Sequence, residues 1–130
     1  MADTGPTCAI LLEAIVAVVG NRPDAGYRLA ALDSAFVTGP DAAFSEVVAP
    51  GNLAAARLFE LRDDPARALA AVRRRVVDID GTHLLLAPSL RAEGRLAAMV
   101  GHTETAIRAY QYYLALRTDP EPALRTRWNR

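Results

Sequence analysis

The chain has 130 residues, about the size of one domain, and slightly more than half of them are apolar, which favours a continuous core over wholesale disorder. Fifteen basic and fifteen acidic residues cancel, so the chain lacks the net basic field of an ordinary nucleic-acid binder. All the basic residues are arginine, as a GC-rich coding sequence produces, which excludes the lysine-dependent chemistry of P-loop NTPases, protein kinases and Schiff-base enzymes; the single Cys8 excludes an internal disulfide and a thiolate metal site.

The first apolar run, Ala9 to Val19, is interrupted by Glu13 and is shorter than the ~20 residues that a membrane-spanning helix needs. No basic n-region precedes it, so no signal peptide and no membrane span are expected, and the expected location is the reducing cytoplasm. The run is rich in β-branched residues, as a buried strand would be. Its pairing with a second helical run favours a helix. Cys8 to Val19, a break at Gly20-Asn21-Arg22-Pro23, and Asp24 to Val37 form a first hairpin over about 8–37.

The same plan recurs twice. Asn52 to Leu61 and Ala66 to about Val77 flank a break at Arg62-Asp63-Asp64-Pro65, giving a hairpin over about 52–77. Leu86 to Val100 and Glu104 to Leu116 flank Gly101-His102-Thr103, giving a third over about 86–117, with a tail over 118–130. Pro23 and Pro65 suit helix starts, Asp64 and Thr103 suit N-caps, and Gly20 and Gly101 suit left-handed C-terminal positions. Gly39-Pro40 and Pro50-Gly51 mark the stretch from Thr38 to Gly51 as a loop, and Asp80-Gly81 marks a turn. Pro88 places the start of regular helix close to itself. Breaks this short make the helices of each hairpin antiparallel neighbours.

Ala25, Ala68 and Ala106 fall at matching points of the second helices, followed four residues later by Leu29, Val72 and Tyr110; the spacings of 43 and 38 residues are those of a stacked repeat. The expected fold class is therefore all-α, an α-α superhelix of about three stacked antiparallel hairpins.

Gly94, Gly101, Ala106-Ile107, Ala109-Tyr110, Leu114, Leu116 and Asp119-Pro120 together resemble the tetratricopeptide repeat family, with the second unit a weaker match through Ala56, Phe59, Ala68, Leu69 and Val72. The chain departs from that pattern at Glu93, where an apolar residue is usual, in its late closing proline, and in repeats longer than the usual length of about 34. The strings Asn52 to Leu58, Ala68 to Arg75, Glu93 to Ala97 and Tyr113 to Arg117 are also similar to the C-terminal repeat region of bacterial multidomain regulators, which carry a kinase or transcriptional-activator domain ahead of the repeats.

The resemblance implies a protein–protein interaction module whose groove is lined by the first helix of each hairpin, with Leu53, Arg57, Arg91, Arg95 and Met99 facing it. Arginine forks suit carboxylates, so the implied partner is a protein with an acidic segment or a peptide C-terminus. Solvated helix-surface pairs, such as Arg91 with Glu93, are the plainer use of these arginines. Both ends look unfinished for a solenoid, which implies a homo-oligomer, or attachment to a larger assembly, through the Leu11, Ile15 and Val18 face; wrapping of the first helix by its neighbours is the alternative. The basic run Arg73-Arg74-Arg75 is expected to be a solvated helix end. A helix-turn-helix regulator of transcription is the competing reading of a tight hairpin, opposed by the repetition and the zero net charge. His83, His102 and Cys8 stand in no ligand or nucleophile spacing, so no enzyme activity, cofactor or metal is expected.

Overall fold

The computed structural model describes residues 6–39, 45–74 and 83–116. These form six helices: α1 (Pro6–Val19), α2 (Ala25–Thr38), α3 (Ser45–Leu61), α4 (Pro65–Arg73), α5 (His83–Met99) and α6 (Thr103–Leu116), with no strand among the described residues. They pair as α1/α2, α3/α4 and α5/α6, and each hairpin packs on the next through α2 against α3 and α4 against α5, with α1 also meeting α3 and α3 meeting α5. The turn expected at Asp80-Gly81, the continuation of helix expected after Arg74 and the tail expected over 118–130 lie outside the described residues.

One backbone device closes all three hairpins. Arg22 N–H donates to the Ala17 carbonyl at 2.8 Å, Asp64 N–H to Phe59 at 2.9 Å, and His102 N–H to Ala97 at 2.8 Å. The residue before each donor, Asn21, Asp63 and Gly101, has a positive φ and donates three residues back, to Val18, Glu60 and Ala98. This is the Schellman arrangement, which satisfies helix-end carbonyls while reversing the chain. Gly101 thus ends α5 as expected, whereas in the first turn the left-handed residue is Asn21 and not Gly20. Asn and Asp tolerate that conformation through local polar contacts. In the second turn Asp64 also caps α4, its Oδ1 accepting from Arg67 N–H at 3.2 Å, and Pro65 follows as the first helical residue. Thr103 is itself the first residue of α6, with His102 ahead of it, and Pro23 lies in the first turn rather than in α2.

The proline expectations need a larger correction. Pro50-Gly51 is not a break, because α3 already begins at Ser45, and α5 begins at His83, ahead of Pro88. Both prolines occupy the second helical turn, where the lost backbone bond is near the helix start, and the residues that follow each of them are buried: Gly51 and Asn52, Ser89 and Leu90. Tertiary packing of those turns outweighs the local cost of proline.

The core is built mainly from Ala and Leu. Ala25, Ala68 and Ala106, matched in the sequence, are all buried, and Leu29, Leu32, Leu90 and Leu96 are the largest side chains wholly removed from solvent. Each such leucine contributes about 1.5–3 kcal/mol of apolar burial. Two glycines let helices approach closely. A Cβ at Gly51 would lie 2.2 Å from the Phe36 ring of α2, and one at Gly94 would lie 2.8 Å from the Tyr110 ring of α6.

Those two positions should respond differently to alanine. Either substitution gains about 1 kcal/mol of helix propensity. Phe36 is buried at 5%, so its ring cannot yield, and Gly51→Ala is expected to destabilise the chain by a net ~1–2 kcal/mol in urea unfolding. Tyr110 is 39% exposed and its ring can move outward, so Gly94→Ala should be close to neutral. Equal losses at the two sites would contradict this account of the seams.

Candidate functional site

The first helices of the second and third hairpins, α3 and α5, enclose a cleft of about 340 Å³. Leu53, Arg57 and Glu60 face it from α3, Pro88, Arg91 and Arg95 from α5, and Tyr113 of α6 completes the wall, with alanines between them. The helical register explains the grouping. Leu53, Arg57 and Glu60 are four and three residues apart and share one helix face, as do Pro88, Arg91 and Arg95. The pattern also repeats between helices at the 38-residue offset, which carries Pro50 to Pro88, Leu53 to Arg91 and Arg57 to Arg95.

Four of the five sequence-derived groove residues, Leu53, Arg57, Arg91 and Arg95, therefore meet in one cleft. Met99 does not line it. One turn beyond Arg95, at the end of α5, Met99 is exposed, and its sulfur lies 3.8 Å from Arg95 Nη1.

The three arginines are not equivalent. Arg95 donates from Nη1 to Glu60 Oε2 at 2.6 Å and from Nη2 to Oε1 at 2.7 Å, a fork-to-fork pair joining α5 to α3. The hydrogen bonds from Arg95 hold the Glu60 carboxyl below its ordinary pKa, against the opposing effect of burial, and the charges of Arg95 and Arg57 add to the lowering. The Arg95 guanidinium is raised in turn, first by its bond to Glu60. Arg57 and Arg91 are exposed and make no hydrogen bond or ion pair among the described residues. Glu60, Pro88 and Tyr113 were not anticipated from sequence. The placement of Glu60 three residues after Arg57 was the available signal, but its actual partner lies 35 residues away.

Elsewhere, the structure changes the reading of several residues. Arg73 and Arg74 are not a free solvated end. Arg73 reaches Glu93 of α5, Nε to Oε1 3.6 Å, and Arg74 binds Asp33 of α2 together with Asn52 Oδ1 of α3 at 3.0 Å. Glu93 is 5% exposed, so the departure from an apolar residue at that position is accommodated by a charge partner rather than by solvent. Its engagement with Arg73 also replaces the anticipated surface pair with Arg91. Arg75 lies outside the described residues.

The Leu11, Ile15 and Val18 face of α1 is turned inward. Val18 is buried and Leu11 and Ile15 pack against the core, because that face meets α2 and α3. The exposed apolar row of α1 is Leu12, Val16 and Val19. Those three, and not the inward residues, are the large apolar side chains that α1 exposes to solvent. No helix is long and apolar enough to cross a membrane among the described residues. Comparison with protein-family models, curated proteins and solved structures finds no match for this chain.

The Glu60–Arg95 pair gives a pH dependence of known sign. A carboxyl with a folded-state pKa below its unfolded value stabilises the fold above the unfolded pKa, and that contribution disappears as pH falls through the folded one. The Tm of the wild-type chain should therefore fall on acidification below the ordinary glutamate range, and Glu60→Gln should flatten that part of the profile of Tm against pH. An unchanged acid limb in the variant would contradict the assignment.

Proposed function

We propose that this chain is a tetratricopeptide-like interaction module that binds an acidic segment of a partner protein, through side-chain or C-terminal carboxylates, in the cleft between α3 and α5. The observation that carries the reading is the pair Arg57 and Arg91. Both are exposed, both line the cleft, and neither makes an ion pair or hydrogen bond among the described residues, the charge of Arg57 acting on Glu60 only through space. Counting Glu60 and Arg95 as mutually neutralised, the named charged groups leave the cleft with an excess of positive charge. Leu53 and Tyr113 add apolar and aromatic surface for the body of a peptide.

The repeat character supports the same reading. Three hairpins closed by one turn type, two of them in exact 38-residue register, form the kind of array whose first helices line a superhelical groove. In a multidomain signalling protein such a module would serve as a regulatory, partner-binding tail. The competing DNA-binding reading, raised by the tight hairpin, gains no support from Arg73 and Arg74, which are engaged with Glu93, Asp33 and Asn52.

The test is selection from a random peptide library with free C-termini, followed by affinity measurement on the enriched sequences, with duplex DNA as a parallel ligand. Enriched peptides should be acidic, and their binding should weaken as salt rises. Arg57→Ala with Arg91→Ala should weaken binding by roughly tenfold or more, since a hydrogen bond to a charged group contributes about 1.5–3 kcal/mol. The same double substitution should leave unfolding stability within about 0.5 kcal/mol, because it removes exposed, unpaired side chains. Selected peptides without acidic excess, DNA binding in their place, or an affinity indifferent to both arginines would overturn the proposal.

A further inference from the structure

We propose that Glu60 is an internal competitor in the cleft: its carboxylate occupies the Arg95 fork that a ligand carboxylate would otherwise take, and so limits an acidic ligand to Arg57 and Arg91. This inference rests on the acidic-ligand reading of the cleft and adds a residue that sets the affinity and charge pattern of the site.

The geometry is that of a bound ligand. Both terminal nitrogens of Arg95 are taken by the two oxygens of one carboxylate, at 2.6 and 2.7 Å, on the wall of the cleft itself. A carboxylate arriving from solvent would find the end-on fork of Arg95 already taken, leaving it only the side-on edge at Nε. It would also meet the negative charge of Glu60 at close range, in surroundings that screen less than open water because the Glu60 side chain is only 24% exposed.

The repeat identifies Glu60 as an addition specific to one unit. Aligning the three Schellman turns places Arg57 and Arg95 at one position and Val18, Glu60 and Ala98 at another. A carboxylate at the second position on one hairpin can reach the arginine at the first position on the next. Before Arg57 that place is filled by Val18, which is buried in the core, and Arg57 stays open. Before Arg95 it is filled by Glu60, and Arg95 is closed. One substitution in the repeat thus converts an open arginine into an occupied one.

The experiment uses fluorescein-labelled hexaglutamate, with hexaglutamine as control, on the full chain and four variants. Glu60→Gln should bind hexaglutamate on the order of tenfold more tightly than wild type, because it frees one charged donor pair and removes one repelling charge. Adding Arg95→Gln to Glu60→Gln should cancel that gain. Arg57→Ala with Arg91→Ala should lose wild-type binding, and Glu60→Ala should repeat the gain of Glu60→Gln. If wild type binds through Arg57 and Arg91 while Glu60→Gln binds no more tightly, the competitor role falls and the cleft reading stands. If no chain binds, both fall.

A measurement on the wild-type chain avoids dependence on the folding of variants. In an NMR titration of the arginine Nε–H resonances, those of Arg57 and Arg91 should shift at low hexaglutamate while that of Arg95 holds its position. Joint movement of all three from the first addition would overturn the proposal.

Discussion

A two-helix hairpin can hide only part of its apolar surface, so contact between successive hairpins is the constraint on which the remaining architecture depends. In this chain that contact combines close packing with charge. Gly51 admits the Phe36 ring where α3 meets α2, and buried alanines line the helix faces. Two neighbouring arginines then reach in opposite directions from the end of α4. Arg74 ties back to Asp33 and Asn52 in α2 and α3, and Arg73 ties forward to Glu93 in α5. The middle hairpin is therefore joined to both of its neighbours by adjacent side chains. Breaking one partner of such a tie leaves the other charge in a partly desolvated place, which costs more than an exposed ion pair contributes.

The hairpins themselves were legible in the sequence because their determinants are local. Gly101, Asp64 and Pro65 are turn and cap residues whose meaning needs no tertiary partner, and the structure uses each in its expected role. Where the reading failed, distant packing had overridden a local rule. Pro50 and Pro88 were read as boundaries, yet both sit inside helices because the buried residues immediately after them hold those turns in place. The α1 face shows the same limit. A helix apolar on nearly every side gives almost no periodic signal, so choosing Leu11, Ile15 and Val18 over Leu12, Val16 and Val19 required knowing where α2 and α3 lie.

The cleft was legible to the extent that it follows the repeat. Leu53, Arg57, Arg91 and Arg95 share a register position or differ from one by a helical turn, so one alignment brings all four to the same side. Glu60 escaped because a cross-hairpin ion pair has no sequence signature when its members stand 35 residues apart. The resemblance places Met99 in the groove one turn beyond Arg95, and it lies outside because the cleft stops before the end of α5.

A net charge of zero is a statement about the sum and not about its distribution. Among the described residues, most carboxylates are committed to particular arginines: Glu13 to Arg28, Asp24 to Arg22 and Arg28, Asp64 to Arg67, Glu93 to Arg73, Asp33 to Arg74 and Glu60 to Arg95. Several of these pairs lie between helices and serve the stacking of hairpins, which concentrates cancellation at the seams. Arg57 and Arg91 lie outside that pairing, as do Arg62 and Arg108, but only the first two share this cleft, so a chain neutral in composition presents a local cationic surface there. Long-range attraction to DNA follows the overall field. Recognition of a few carboxylates at short range follows the unpaired groups, and for those the zero sum is no obstacle.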